Sequence, residues 1–197
     1  MKRKAYAADE EYCLIPLSVE DKENYINLRR QIADTPQYYS TPQKAELMWQ
    51  IMTENEDINY SIYDVNDEYC GNVILQNPQS DTPEIGIDLL EEKRNQGIGP
   101  RVIILLARQV YLELNVEYFL LRVSSLNSHS LHMIKKLGAI LVGEEESKFK
   151  GIMQSMRENL GEDAFVKTLE QIPSLKEMSQ EEEVIFRYQL TPNMFKG

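Results

Sequence analysis

The chain has 197 residues and a net charge of −11, with 21 Lys and Arg against 32 Asp and Glu. That balance excludes a general nucleic-acid binder, which needs a basic face for phosphates; it fits solubility, or attraction of cationic substrates such as amines. Hydrophobic residues are 42% of the chain, enough for the core of a single domain over 1–197, and Cys13 and Cys70 lie outside any CxxC or Cys/His cluster, so no metal site is expected and both read as buried thiols of a cytoplasmic protein.

The basic start MKRKAYAADEEY lacks the apolar core of a secretory signal, and the longest apolar run, 102–107, is far too short to span a bilayer, so no membrane partner is expected. CLIPL (13–17) predicts a first strand, placed at a sheet edge by Pro16. Ser18 predicts the cap of a helix over about 19–33, with Asp21 and Glu23 in its first turn. DTPQYYSTPQ (34–43) is a proline-punctuated loop, and Thr41-Pro42 open a second helix that runs to about Thr53. NYSIYDV and YCGNVILQ flank NDE as a hairpin, and EIGIDLL (84–90) adds a third strand.

The loop EEKRNQG then leads into a helix over about 99–114. Its apolar residues Val102, Ile103, Ile104, Leu105, Leu106, Val110 and Tyr111 surround the axis, which predicts burial against a sheet. VEYFLLRVSS (116–125) reads as a central strand, NSHSLHMIKKLG (127–138) as a short helix closed by Gly138, AILVGEE as a further strand, and EVIFRYQLT (183–191) as the last one. Between the last two, 146–182 reads as an insertion. Ile152, Met156, Leu160 and Ala164 recur every four residues and predict one amphipathic helix despite Gly161, in a segment (144–183) with eleven acidic and five basic side chains. The order predicts an α+β fold: a mixed, mostly antiparallel sheet with one parallel strand pair, flanked by helices.

Chemistry concentrates in RNQGIGPRVI (94–103). Gly97 and Gly99 allow a tight turn and close approach of backbone to a ligand. The helix that follows offers free N–H groups and the positive end of its dipole, an anion site suited to a phosphate or pyrophosphate, with Arg94 or Lys93 adding charge and Pro100 at the first helical position. No GK[ST] follows, which excludes a Walker loop, and Val102 stands where a dinucleotide-binding motif needs its third glycine.

RNQGIG also resembles the R/Q-x-x-G-x-G/A signature of the GNAT superfamily of N-acetyltransferases, and NSHSLHMIKKLGA resembles that family's N-x-x-S-x-x-x-x-x-K-x-G-F pattern one strand later. The resemblance covers about 12–145 and 183–191, and EIGIDLLEEKRNQGIG with Ser130 is most similar to the Rim-type branch, which acetylates ribosomal-protein N-termini. It implies the GNAT fold and acetyl-CoA as cosubstrate. The backbone of Arg94, Asn95, Gln96, Gly97, Ile98 and Gly99 would grip the pyrophosphate, and the thioester would lie along Leu89 and Leu90, one of whose N–H groups receives the oxyanion. Asn127 would hold the pantetheine arm or thioester region and also reads as a helix N-cap.

The implied reaction is direct attack of a primary amine, on a protein N-terminus or a small molecule, upon the thioester. Glu84 stands where family members often carry the catalytic base, and Asp88, on the same strand face, would bind the cationic acceptor or share the role. Ser130 would protonate or hydrogen-bond the leaving sulfur, because Ile134 replaces the tyrosine that many members carry. Tyr38 and Tyr39 would line the acceptor pocket, while His129 and His132 read as surface helix residues. Two other functions share these features: a polyamine or aminoglycoside acetyltransferase, and a non-catalytic acyl-CoA-binding module. The insertion would supply a lid or a homodimer contact through Ile152, Met156, Leu160 and Phe165.

Overall fold

The structure is a computed structural model that describes residues 3–32, 36–114, 116–171 and 183–195. Its described residues form a mixed sheet of β1 (Ala7–Ala8), β2 (Tyr12–Pro16), β3 (Ile58–Asp64), β4 (Tyr69–Gln76), β5 (Glu84–Leu89), β6 (Phe119–Ser124), β7 (Ile140–Glu146) and β8 (Val184–Leu190). The spatial order is β1-β2-β3-β4-β5-β6-β8-β7. Around it pack α1 (Lys22–Gln31), α2 (Pro42–Glu54), α3 (Ile98–Glu113), α4 (Ser128–Leu137), α5 (Lys148–Leu160) and α6 (Glu162–Gln171). All adjacent strands are antiparallel except β5 and β6, the parallel pair that the element order requires.

Strand alternation gives the central sheet two unlike faces. One carries Ile62, Val73, Leu75 and Ile85, and packs with Ile98, Val102, Ile103, Leu106 and Val110 of α3 into the main core. The α3 helix packs on the sheet as its sequence implies, with Ile104, Leu105 and Tyr111 partly buried and Leu112 exposed on its outer side. The other face is polar. Asn59, Ser61, Asn72 and Glu84 are buried there, and the register sets Ser61, Asn72 and Asp88 side by side across β3, β4 and β5. Helix α1 covers this face through Leu28, which meets Tyr69 and Leu90, while Tyr25 and Ile26 pack with Tyr39, Ala45 and Trp49 of the α1–α2 connection and α2.

Four local features depart from the sequence reading. Strand β1 pairs only with Cys13 and Leu14, so Pro16 lies on the stretch of β2 that β1 leaves uncovered. The first helix is preceded by a 3-10 turn at Val19–Asp21, because Ser18 and Asp21 form a reciprocal capping box that turns the Asp21 carboxylate inward. Pro100 is the third residue of α3, not the first: Gly97 at φ 81° is the N-cap, and a proline anywhere in the first turn removes an N–H that no helical carbonyl needs. The insertion is two helices, since Gly161 at φ 77° ends α5. Ile152 and Leu160 are exposed, while Met153 and Phe165 are buried, with the Arg157 guanidinium 4.9 Å over the Phe165 ring. Residues 172–182 of the predicted insertion lie outside the described residues.

The register of β3 against β4 slips beside Tyr63, so Cys70 forms a bulge. Gly71 follows at φ 156°, opposite Leu89, and a Cβ there would stand 2.2 Å from the Asp88 carbonyl oxygen. Gly71→Ala is expected to cost about 1–3 kcal/mol by prising β5 from β4; a shifted denaturation midpoint checks this, and an unshifted one refutes the close approach.

Candidate active site

The parallel ladder between β5 and β6 holds one registered pair, Glu84 with Leu120, supported by the Leu120 N–H donating to the Pro83 carbonyl at 2.9 Å. Beyond it the two strands run on unpaired, which makes a wedge that opens toward their C-terminal ends. The end of β5 feeds the loop into α3, and the end of β6 feeds the first turn of α4, so two helix N-termini flank the mouth.

At the first N-terminus, Asn95 and Gly97 both take left-handed backbone, φ 61° and 81°. Successive turns of this kind point neighbouring N–H groups into one concavity. Among the described residues, the amides of Asn95, Gln96, Gly97, Ile98 and Gly99 donate to no backbone carbonyl, whereas those of Lys93 and Arg94 are closed into a turn on Leu90 and Glu91. The two glycines do different work. Gly97 is needed for its φ, with open space around it. Gly99 is buried, and a Cβ there would stand 2.7 Å from Met133 Sδ, so it permits close packing of α3 on α4. Lys93 is committed to Glu68 at 2.7 Å and Asp64 at 3.5 Å, away from the loop. Arg94 donates from Nε to the Leu89 carbonyl at 3.1 Å, which ties the loop to the end of β5. Free amides, a helix dipole and Arg94 form a donor set that fits a diphosphate.

Along β5, the Leu90 N–H donates to the Cys70 carbonyl at 3.1 Å and the Leu90 side chain is buried against Leu28 and Tyr69. Leu90 therefore has no free donor, which leaves Leu89 of the two expected N–H groups; the bulge at Cys70 supplies the carbonyl that takes the Leu90 amide. Alternation turns the Leu89 N–H the other way, toward the wedge.

At the second N-terminus, Asn127 Oδ1 accepts from the Ser130 N–H at 3.0 Å, the capping bond its position implies. Ser130 sits in the first turn of α4, half-buried. Ile134 is buried in the main core, and His129 and His132 are exposed.

Of the two strand carboxylates, Glu84 is buried and held by Arg122 of β6, Nη2 to Oε2 at 2.7 Å, and Arg122 also meets Glu145 of β7 at 3.3 Å. The triad straps the closed end of the wedge. Asp88 lies four residues on, and its Oδ2 accepts from Arg29 Nη1 of α1 at 2.7 Å. Its side chain keeps 40% of its surface open, yet protein crowds it on the remaining sides. That desolvation pushes its carboxyl above the ordinary range, against the opposing pull of Arg29 and Arg94. Tyr39 is buried and Tyr38 is 52% exposed, so only Tyr39 belongs to the packed wall of this region.

Arg29, Arg122, Tyr69 and Asn72 were not singled out by the sequence. The available signal was a polar residue interrupting an apolar strand, as in FLLRVS and YCGNVILQ. What each faces depends on strand register and helix placement, which the spacing does not carry.

This arrangement sets a donor set suited to a diphosphate at the mouth of a split parallel strand pair. Residues 12–140 match the family profile described as an acetyltransferase (GNAT) domain, and the chain belongs to this family of N-acetyltransferases. A search of curated proteins finds no match. Solved structures similar over nearly the whole chain include a chimera of the Vibrio cholerae spermidine N-acetyltransferase SpeG and hSSAT, at 16% identity and TM-score 0.67, covering 94% of this chain and 98% of that one. The Vibrio cholerae spermidine N-acetyltransferase in complex with CoA and spermine is 14% identical at TM-score 0.64, covering 96% and 100%. A dodecameric structure of the same enzyme is 15% identical at TM-score 0.64, covering 93% and 95%. At such identities the likeness extends to the fold.

Proposed function

We propose that the protein transfers the acetyl group of acetyl-CoA to a primary amine by direct attack on the thioester. The observation that carries this reading is the wedge between β5 and β6, with the free amides of Asn95 to Gly99 at its mouth. Those amides and Arg94 hold the diphosphate, Asn127 and Ser130 stand beside the reactive end of the pantetheine arm, and the Leu89 N–H faces the developing oxyanion, a contribution of about 3–4 kcal/mol for one well-placed donor.

A primary amine is mostly protonated near neutral pH, with a pKa of about 10 for a lysine-like group, so a base must take a proton before attack. We assign that proton to Asp88 in preference to Glu84. Asp88 is open to the acceptor side and its environment raises its proton affinity, while Glu84 is buried in an ion pair with Arg122. The leaving thiolate needs little help from an acid, since thiols ionise near pH 8.5, and the Ser130 hydroxyl supplies a donor where Ile134 offers none.

Three acceptor classes are compatible with the chemistry: a protein N-terminus, a polyamine, as the names of the similar structures favour, and a small amine of another kind. Thiol release from acetyl-CoA against a panel of peptides, polyamines, aminoglycosides and amino acids tests the reading. Release with an amine upholds it; absence of heat on titrating coenzyme A into folded protein overturns it. Tight coenzyme binding without release from any amine would define a binding module instead.

A further inference from the structure

Arg29 presents a cation beside the carboxylate that the transferase reading assigns to the acceptor amine. Its Nη1 stands 2.7 Å from Asp88 Oδ2, joining α1 to β5 across 59 residues of sequence, and 22% of the Arg29 side chain is exposed beside the 40% of Asp88. Tyr25 and Tyr39 lie close enough to the guanidinium to interact with it electrostatically, and Tyr69 lies similarly close to Asp88. Next to the pair is unused hydrogen-bonding capacity. The Tyr69 hydroxyl and Asn72 Oδ1 are buried without a hydrogen-bond partner among the described residues, and Asn72 stands directly opposite Asp88 in the β4–β5 register. Leaving such a group unpaired is unfavourable, a cost commonly retained where a ligand or a functional role accounts for it.

Resting on the reading above, we propose that the acceptor is a zwitterion, a free α-amino acid whose ammonium group meets Asp88 while its carboxylate meets Arg29. A guanidinium and a carboxylate side by side are complementary to a molecule that carries an ammonium and a carboxylate two bonds apart. The planar fork of arginine suits carboxylate in particular. A polyamine can offer Asp88 an ammonium, but it offers nothing to Arg29 or to Arg94 nearby. A peptide N-terminus brings the ammonium without the carboxylate. In the reaction Asp88 takes one proton from the ammonium, the freed nitrogen attacks the thioester carbon, a C–N bond forms and the C–S bond breaks. The nitrogen then loses its second proton, and the departing sulfur leaves as thiolate and takes up a proton. The products are the N-acetyl amino acid, coenzyme A as free thiol, and one proton released overall.

The experiment compares thiol release for the free amino acids, their α-amides, spermidine and a tripeptide, in the wild type, Arg29→Leu and Arg29→Lys. At least one free amino acid is expected to exceed its amide by about 100-fold or more in kcat/KM, since a site built for a polar group rejects the analogue lacking it. Arg29→Leu brings that ratio near unity through the KM of the free acid, and Arg29→Lys keeps part of it. The ratio is internal to each preparation, so partial unfolding cancels. Equal rates for acid and amide, a ratio unmoved in Arg29→Leu, or a spermidine or peptide rate above every free amino acid overturns the zwitterion while leaving the transferase intact. No release with any amine, and no heat with coenzyme A, overturns both.

Discussion

Asp88→Asn lowers kcat by about 10²–10⁴-fold, the usual worth of a positioned general base, while coenzyme A still binds with unchanged heat. The substitution keeps shape and a hydrogen-bonding oxygen for Arg29 but removes the proton acceptor. In the wild type, the charged and titratable groups close to Asp88 are Arg29, Arg94, Tyr25 and Tyr69, and desolvation outweighs the two cations to hold its pKa above the ordinary value of 3.8. In the proposed role Asp88 works as a base only when deprotonated. Activity is therefore lost as pH falls through that raised value, and the acid limb of the kcat/KM profile lies above where an ordinary aspartate would put it. Asp88→Asn removes this limb. Glu84→Gln is the contrasting variant. It breaks the bond to Arg122 and loosens the strap across β5, β6 and β7, so it lowers the melting temperature and lowers kcat less than Asp88→Asn does. The opposite ranking of the two kcat losses would return the base to Glu84.

The second large effect falls on stability. Asp21→Ala is expected to cost about 3–5 kcal/mol, the range for removing one partner of a buried pair, with the lower end favoured because the Arg3 side chain is 25% exposed and recovers some hydration. The Asp21 side chain is fully buried, yet it accepts from Arg3 Nη1 at 2.6 Å, Arg3 Nη2 at 2.5 Å, the Tyr63 hydroxyl at 2.6 Å and the Ser18 N–H at 3.0 Å. Burial alone would raise its pKa, but these donors together pull it below the usual carboxylate range. A depressed folded pKa stabilises the fold fully above the unfolded value, about 3.9, and that contribution disappears as pH drops through the folded one. Denaturant melts should show the full gap between wild type and Asp21→Ala at pH 7 and a narrower gap below pH 4. A gap independent of pH would show that packing, not charge, accounts for the loss.

The loop into α3 and the cap of α4 were readable because local rules decide them. Gly97 takes its positive φ with open space around it, so the turn before α3 needs no distant residue, and the Asn127 cap needs only its own first turn. The surroundings of Asp88 and Glu84 were not readable, because they are assembled from residues far apart in sequence. Nothing in NLRRQI indicates that Arg29 rather than Arg30 reaches Asp88; that follows from which turn of α1 faces the sheet. Glu84 reads as a free acid until the single registered pair of the parallel strands sets Arg122 beside it. Leu90 reads as the companion of Leu89 until the bulge at Cys70 claims its amide. In the insertion, four-residue apolar spacing favoured one continuous helix, and the left-handed Gly161 outweighed it.

The charge of the molecule and the charge of its site are separate quantities. The site acids Glu84 and Asp88 are each matched by an arginine, so the surplus of −11 is carried by solvent-facing acids elsewhere, among them Glu10, Glu91, Glu92, Glu144, Glu158 and Asp163. A diffuse negative envelope quickens the approach of any cation and is damped within about 10 Å at 0.1 M salt. Ionic strength should thus retune how fast molecules arrive and scarcely alter which of them is chosen at Asp88.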